Sequence, residues 1–183
     1  SYAKSFYKKS NCSIATARAG NCIGGGDWTK YRILTDCSES FLKNKNLHIR
    51  NPNSRRPWQH VLEPLSGYII LAQKLYKKNG YNYTGAWNFG PNRQSHLKVR
   101  QFAELLKKKL KSKSKIYFKK NEDKREKSFL DLDSKKSIKK LNWRAVLNIE
   151  QTLNLTSDWY LAYKNKKNLF QVSSEQIKIF MKL

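Results

Sequence analysis

A glycine-rich stretch near the start of the chain, RAGNCIGGGDW at 18–28, is the first candidate for binding chemistry. It follows an apolar run at 14–17 that has the composition of a β-strand. A glycine-rich turn between a strand and a helix can hold a phosphate with its backbone N–H groups. However, the glycines at 20 and 24–26 do not fit the G-x-G-x-x-G spacing of a dinucleotide loop, and no Gly-Lys-Ser/Thr follows. Taken alone, the stretch indicates a strand that ends in a loop with glycines at positive φ.

The charge of the chain suggests an anionic ligand but does not identify one. The sequence has 38 Lys and Arg against 13 Asp and Glu, a formal net charge of +25, which makes a basic nucleic-acid-binding protein one alternative. Lysine far outnumbers arginine, however, and arginine is the residue that grips phosphates and bases with two parallel hydrogen bonds. Charge alone supports only nonspecific binding. We therefore expect no specific nucleic-acid partner and interpret the lysine-rich run at 106–120 as a solvated surface.

Composition narrows the class of protein further. No apolar run reaches the length of a membrane span, so we expect no membrane partner. The three cysteines, Cys12, Cys22 and Cys37, form no C-x-x-C pair, which argues against a disulfide framework and against a zinc site. Free thiols fit a cytoplasmic protein without a bound metal. With 183 residues and 13% aromatic residues, the chain can fold as one domain or two small ones.

Hydrophobic periodicity predicts an α/β fold in which strands alternate with helices. A capping box of Asn148 and Gln151 begins the last predicted helix, and either Asp133 or Ser134 caps the short helix before it. The segment 51–57 is predicted as a loop because it contains Pro52 and Pro57. Strands are predicted at 12–19, 47–50, 85–91, 115–118 and 129–132, and helices at 33–42, 62–76, 99–110, 134–141 and 149–163.

Seven stretches taken together resemble one family. The longest, IRNPNSRRPWQHVLEPLSGY at 49–68, is too specific to arise by chance. Their order and spacing resemble the C-terminal half of the extended short-chain dehydrogenase/reductases, and within them the CDP-glucose 4,6-dehydratases, over nearly the whole chain. GGGDW separates this group from the dTDP-glucose dehydratases. The other stretches are RAGNCIGGGDW, RILTD at 32–36, GAWNFGP at 85–91, REKSFLDLDSKK at 125–136, LNW at 141–143 and DWY at 158–160.

The resemblance implies the last part of an NAD-binding Rossmann fold plus a smaller C-terminal substrate-binding domain. About 1–30 and 60–92 would belong to the Rossmann part, and about 31–59 and 93–183 to the substrate domain. The family's cofactor loop and its catalytic Tyr-x-x-x-Lys pair are expected ahead of residue 1, since Tyr2 and Tyr7 are not followed by lysine four positions on. We therefore expect no catalytic residue in this chain, no activity of the chain alone, and exposed strand edges where its sheet is incomplete.

The resemblance also implies a set of binding residues. Ala19 and Gly20 would lie near the nicotinamide of NAD, and Asn21 would contact a substrate phosphate. Arg32 and Arg56 would grip the pyrophosphate of the CDP-sugar, and Glu126 would accept hydrogen bonds from ribose hydroxyls. His60 is either a ligand contact or a buried core histidine, and the sequence leaves both open. Trp58 and Trp87 are expected in the core.

The implied reaction is an internal redox elimination. NAD takes hydride from C4 of the glucose, water leaves across C5 and C6, and hydride returns to C6, which gives CDP-4-keto-6-deoxyglucose. The full-length enzyme would be a cytoplasmic homo-oligomer. Departures from the family pattern are Thr35 and Ala145 for proline, Asn142 for glycine and Arg125-Glu126 for His-Glu. They bear on local geometry and on the contacts at 125, and not on the resemblance itself. An epimerase or dehydratase that uses another nucleotide remains the alternative within this class.

Overall fold

The computed structural model of the chain describes Ser5, residues 12–119 and residues 130–183. Strands and helices alternate through the described part, which confirms the α/β class. The strands are β1 (Ala15–Ala19), β2 (Asn21–Ile23), β3 (Leu47–Ile49), β4 (Arg55–His60), β5 (Gly85–Phe89), β6 (His96–Lys98) and β7 (Ile116–Phe118). The α-helices are α1 (Ile33–Leu42), α2 (Leu62–Tyr76), α3 (Val99–Lys109), α4 (Lys135–Leu141), α5 (Ile149–Lys164) and α6 (Leu169–Phe180). None of them is long and apolar enough to cross a membrane.

The strands form three small sheets. β1 pairs with β5 in parallel, and β3 pairs with β7 in parallel. The third sheet has the order β2-β4-β6, in which β2 is parallel and β6 antiparallel to β4. Parallel pairs need long crossover connections, and the helices between these strands supply them.

One buried side chain joins two of these sheets. Gln59 on β4 donates a hydrogen bond of 3.0 Å from Nε2 to the carbonyl of Phe89 at the end of β5. The same Nε2 lies 3.7 Å from Cys22 Sγ on β2. A buried amide that loses such partners is costly, by roughly 1–3 kcal/mol. Gln59 therefore fixes the position of the β1–β5 pair relative to the β2-β4-β6 sheet.

The larger hydrophobic core lies between β4 and the helices α1, α3 and α5. Trp58 stacks on Phe102 with ring centroids 4.0 Å apart, and its Nε1 donates to the carbonyl of Leu97 at 3.1 Å. A second, smaller core surrounds Trp87, Phe89 and Trp143 beside the β1–β5 pair. Trp58 and Trp87 are each almost fully buried, which confirms that they are core residues.

Several local predictions are confirmed. Asn148 and Gln151 form the capping box of α5, and Asn148 accepts a hydrogen bond of 2.9 Å from the backbone N–H of Gln151. Asn142 takes the left-handed conformation, with φ of 52°, that the family's glycine would take. Ser134 is the cap residue of α4, while Asp133 accepts the hydrogen bond from the N–H of Lys135.

Other predictions are wrong. The segment 51–57 is not all loop, because β4 begins at Arg55 and includes Pro57. Pro57 is tolerated there since pairing with β2 begins one residue later, at Trp58. Residues 130–132 form no strand, and Phe129 lies outside the described residues. The short strands β2 and β6 and the helix α6 were not anticipated from the sequence.

Candidate functional site

A cavity of about 770 Å³ lies at the junction of β1 and β2. Five of the residues expected to bind cofactor or substrate line it: Ala19, Gly20, Asn21, Arg32 and Arg56. Ligand sites of α/β proteins lie at the carboxyl ends of parallel strands, and Ala19 is the last residue of β1. The structure therefore brings most of the expected site together on one concave surface.

Gly20 allows two sheets to meet at this cavity. It is the single residue between β1 and β2. A Cβ atom at this position would lie 2.7 Å from the backbone carbonyl of Pro57 and 3.3 Å from Pro91, so no larger residue fits without a backbone shift. The close approach at Gly20 is made to β4 of the same chain. Gly20 thereby sets the distance between Asn21 and the arginine-bearing end of β4.

The two expected arginines reach the cavity from different elements. Arg56 lies half-buried on β4, and its Nη1 donates to the carbonyl of Arg55 at 2.9 Å. Arg32 is the residue that precedes α1, and its largely exposed side chain pairs with Asp27 at 3.4 Å. An exposed pair of this kind is worth at most about 1 kcal/mol. A bound anion can therefore compete with Asp27 for the Arg32 guanidinium.

A third arginine at the cavity was not predicted from the sequence. Arg50 follows β3 directly and lines the same cavity, as do His48 and Asn51. It is close enough to Asp36 to lower the pKa of that carboxyl, although burial is the largest effect and raises the pKa. The signal was available, because Arg50 belongs to the same IRNP stretch as Asn51. The walls of the cavity therefore carry three guanidinium groups and two carboxylates, those of Asp27 and Asp36.

His60 does not line this cavity. Its side chain is almost fully buried, Nδ1 accepts a hydrogen bond of 3.4 Å from the N–H of Leu62, and Nε2 has no hydrogen-bond partner among the residues that the structure describes. Burial lowers the pKa of His60 to about 4, so the imidazole is neutral at neutral pH. Of the two interpretations left open by the sequence, the geometry favours the buried core histidine. Glu126, the remaining expected contact, lies outside the described residues.

The three glycines of the GGGDW motif do not line the cavity. Gly25 and Gly26 lie against Trp159 of helix α5, and Gly24 lies against Val61. A Cβ atom on Gly25 would lie 2.0 Å from Cγ of Trp159, so the indole sits directly on the backbone. Gly26 alone of the motif's three glycines has positive φ, 80°. Of the glycines in the stretch at 18–28, only Gly20 lines the cavity, and its position beside the nicotinamide stays a prediction.

Hydrogen bonds to the backbone carbonyl of Asp27 add to the contact between the GGGDW loop and helix α5. The backbone oxygen of Asp27 accepts from the hydroxyl of Tyr160 at 2.9 Å and from Oγ1 of Thr35 at 3.1 Å. Trp28 packs edge-on to Tyr160, with ring centroids 5.3 Å apart. The two family stretches GGGDW and DWY therefore meet in space, and together they hold Asp27 beside Arg32.

The spacing Tyr-x-x-x-Lys also occurs within the chain, at Tyr160 and Lys164. A catalytic tyrosine needs an accessible hydroxyl with a lowered pKa. Tyr160 is fully buried and its hydroxyl is already donated to Asp27. Burial raises its pKa to about 12. This tyrosine is a packing residue of α5, and the chemistry of the family's pair cannot be assigned to it.

Glu63 is a second motif residue with a structural role. Its carboxylate is buried and accepts hydrogen bonds from the N–H groups of Val146 and Leu147, at 3.0 and 2.6 Å. The indole N–H of Trp143 reaches the backbone carbonyl of Glu63 at 3.2 Å. Burial raises the pKa of this carboxyl to about 7, against the opposing effect of the two N–H donors. Glu63 therefore joins α2 to the segment that leads into α5.

Known proteins match the chain along most of its length. No protein-family model matches it. A CDP-glucose 4,6-dehydratase from Salmonella typhimurium strain LT2 is 35% identical over 175 residues, which are 96% of the chain and 48% of the relative. A UDP-glucose 4-epimerase from Thermotoga maritima, solved with UDP-glucose, has a TM-score of 0.73 at 20% identity and matches over 88% of the chain and 50% of the epimerase.

A third protein has the same fold. A UDP-glucuronic acid 4-epimerase from Bacillus cereus, solved with UDP-glucuronic acid and NAD, has a TM-score of 0.71 at 16% identity, over 88% of the chain and 48% of the epimerase. The chain thus spans about half the length of the proteins that it matches. The chain is thus similar in sequence, along 96% of its residues, to a CDP-glucose 4,6-dehydratase, and it shares the α/β fold of the two nucleotide-sugar epimerases.

Proposed function

We propose that this chain forms the substrate-binding part of a CDP-glucose 4,6-dehydratase. The observation that carries the proposal is the cavity in which Asn21 and three arginines, Arg32, Arg50 and Arg56, lie on one surface. The 35% identity to a CDP-glucose 4,6-dehydratase supports the choice of nucleotide sugar. Residues of about 31–59 and 93–183 would form the substrate domain, and about 1–30 and 60–92 would complete the Rossmann part.

The arginines suit a pyrophosphate. A guanidinium presents a planar fork of N–H donors that can bind two phosphate oxygens at once, which an ammonium group cannot do. Arg56, held half-buried on a strand, loses little side-chain freedom when it binds. The Asn21 amide adds a neutral donor at the junction of β1 and β2. The carboxylates of Asp27 and Asp36 offset part of the positive charge of the three arginines. A single diphosphate is therefore enough to neutralise the wall of the cavity.

NAD would be the cofactor, and it would supply the hydride acceptor and donor of an internal redox elimination. Ala19 and Gly20 are the residues of this chain that we assign to its nicotinamide end, because both line the cavity and neither has a bulky side chain to obstruct a flat ring. The contribution of the chain would be to bind the substrate and to orient it. Since the family's cofactor loop is not among these residues, we expect the isolated chain to bind CDP without converting CDP-glucose when NAD is added.

Nucleotide binding tests the proposal directly. Saturation-transfer NMR of the chain with CDP, UDP and dTDP should show the strongest transfer to CDP. Stronger transfer to UDP or dTDP would support the alternative of an epimerase or dehydratase with another nucleotide. The absence of transfer to all three ligands would contradict the proposal.

A basic nucleic-acid-binding protein is the alternative from another class. This alternative predicts that DNA binding persists at moderate salt. Salt weakens only the part of the affinity that comes from counterion release, and a specific complex has other contacts as well. Under our proposal, DNA binding disappears when salt is raised from about 50 to 200 mM, whereas CDP binding persists. Titration of both ligands at the two salt concentrations separates the alternatives.

A further inference from the structure

The lysine-rich run at 106–120, which was expected to be a solvated surface, borders a second cavity. Its described part, 106–119, forms the end of α3, a turn and β7. Side chains from these elements line a cavity of about 530 Å³, here called the lysine cavity. Among the described residues, its lining has no member in common with the cavity that holds the three arginines. The two are therefore separate sites.

The positive charge of the lysine cavity comes from one side of α3 and from the turn that follows. Glu104, Lys107, Lys108 and Lys111 all line it, at intervals of three and four residues that place them on one face of a helix. None of the three lysines forms a salt bridge with another described residue. Three ammonium groups thus lie together with a single carboxylate, and a bound anion would relieve their mutual repulsion.

The other wall of the lysine cavity is apolar. Ile116 and Phe118 line it and alternate with Tyr117 along β7, so their side chains leave the same face of the strand. Tyr117 stacks instead on His48, with ring centroids 5.0 Å apart. The guanidinium of Arg100 lies 4.0 Å from the centre of the Phe118 ring and adds positive charge beside this wall. The cavity therefore combines cations with an apolar surface.

Lys111 stands at a position where glycine is usual. Its φ is 51°. Its N–H donates to the carbonyl of Lys108 at 3.1 Å, and the N–H of Ser112 donates to the carbonyl of Lys107 at 3.1 Å. These two bonds form the Schellman motif that ends many helices, in which the left-handed residue is most often glycine. The turn does not require a lysine, so its charge can be removed without loss of the fold.

We propose that the lysine cavity binds a soluble phosphate monoester that carries an apolar substituent. Such a phosphate has about two negative charges and three acceptor oxygens at neutral pH, so one group can contact all three ammonium groups. A carboxylate has a single charge and two oxygens and would leave one lysine without a partner. Ile116 and Phe118 would contact the substituent. The inference does not rest on the proposed function, because no residue of the arginine-bearing cavity takes part in it.

Titration of the chain with phenyl phosphate, followed by the amide signals in NMR, tests the proposal. The shifts should map to 104–118. Phenyl phosphate should bind at least about fivefold more tightly than inorganic phosphate, because part of its ring leaves water. Shifts confined to 50–56 would place the phosphate in the arginine-bearing cavity and overturn the inference.

Charge variants with a matched control locate the phosphate. Lys107→Gln and Lys108→Gln should each weaken binding by about three- to fivefold, as for one exposed charge. Lys111→Gly should weaken binding to the same extent yet raise the urea concentration at the midpoint of unfolding, since glycine takes positive φ without strain. Glu104→Gln should strengthen binding by about twofold or more, because it removes a like charge. Lys113→Gln, at an exposed position that does not line the cavity, should leave binding unchanged.

A lipid headgroup is another source of a phosphate monoester. Vesicles of phosphatidylcholine with phosphatidic acid present this group on a membrane, and co-sedimentation of the chain with them should be insensitive to Lys108→Gln and Lys111→Gly. Co-sedimentation that both variants abolish, without binding of phenyl phosphate, would assign the cavity to a lipid and overturn the soluble ligand. Equal affinity for phenyl and inorganic phosphate, or an equal loss in Lys113→Gln, would also overturn the inference.

Discussion

The indole of Trp159 lies directly on the backbone of Gly25, where a Cβ atom would come within 2.0 Å of Cγ. The indole Nε1 donates to Ser173 on α6 at 3.1 Å, so Trp159 joins the glycine loop to two helices. The family stretches GGGDW and DWY are therefore two sides of one contact. A glycine that looks like a ligand-binding residue in the sequence is required here by a tryptophan 134 positions further along the chain.

A double-mutant cycle tests this contact. Gly25→Ala should destabilise the chain by about 1–3 kcal/mol, because overpacking forces the ring or the loop to move. In the Trp159→Ala background the same substitution should cost much less, since the space is then empty. Urea unfolding of the four proteins measures the coupling. An equal cost in both backgrounds would mean that Gly25 is required for its backbone conformation and not for the contact.

Sequence periodicity predicted most helices because their apolar spacing and caps are local signals. The Asn148–Gln151 capping box and the left-handed Asn142 are examples. The prediction of a loop at 51–57 was wrong, because β4 includes Pro57. Proline is tolerated at this position because Pro57 lies opposite β6 and pairing with β2 begins only at the next residue, which the sequence does not reveal.

The site was predicted less completely, because it depends on contacts between distant residues. The family resemblance led to Asn21 and Arg56, and Arg50 was missed although it shares a stretch with Asn51. The partner of Gly25 and the burial of His60 depend on packing between segments far apart in the sequence. Neither leaves a local pattern that could be recognised in advance.

The buried His60 should make the chain less stable in mild acid. Its pKa is lowered to about 4, while an unfolded histidine titrates near 6.5. The neutral ring therefore contributes stability that is fully present above about pH 6.5 and is lost as the pH falls toward 4. His60→Gln should remove up to about 3 kcal/mol of this pH dependence, whereas His48→Gln, at an exposed position, should not. Urea unfolding from pH 4 to 8 measures the difference, and identical pH profiles for both variants would refute the assignment.

Glu63 should have the opposite pH dependence. Its pKa is raised from 4.5 to about 7, so the folded state holds the proton more tightly than the unfolded state. The resulting stability is present below about pH 4.5 and is lost as the pH rises through 7. Glu63→Gln should therefore remove a decline of the order of 1–3 kcal/mol between pH 4.5 and 7.5.

The exposed Glu104→Gln is the control for Glu63. Because the effects of His60 and Glu63 overlap in pH and have opposite signs, the parent chain should show a flatter profile than either variant alone. A steeper profile in the parent chain would show that one of the two assignments is wrong.

Two neighbouring arginines provide the sharpest test of phosphate binding. Arg55 and Arg56 are adjacent on β4, so their side chains leave opposite faces of the strand. Arg56 lines the cavity, whereas Arg55 is exposed outside it. Arg56→Ala should weaken CDP binding by about 2–4 kcal/mol, the range for losing one side of a buried charged pair. Arg55→Ala should change the binding free energy by less than about 0.5 kcal/mol, as for an exposed charge.

Calorimetry with two ligands separates phosphate binding from a structural role of Arg56. Cytidine has the base and ribose of CDP but no phosphate. If Arg56 contacts the pyrophosphate, Arg56→Ala weakens binding of CDP and leaves binding of cytidine nearly unchanged, because the lost partner of the guanidinium is absent from cytidine. If Arg56 only supports the wall of the cavity, both ligands lose affinity by the same factor, since both fill the distorted site. Equal losses would therefore remove Arg56 from the phosphate site and leave Arg32 and Arg50 as the cations available to the diphosphate.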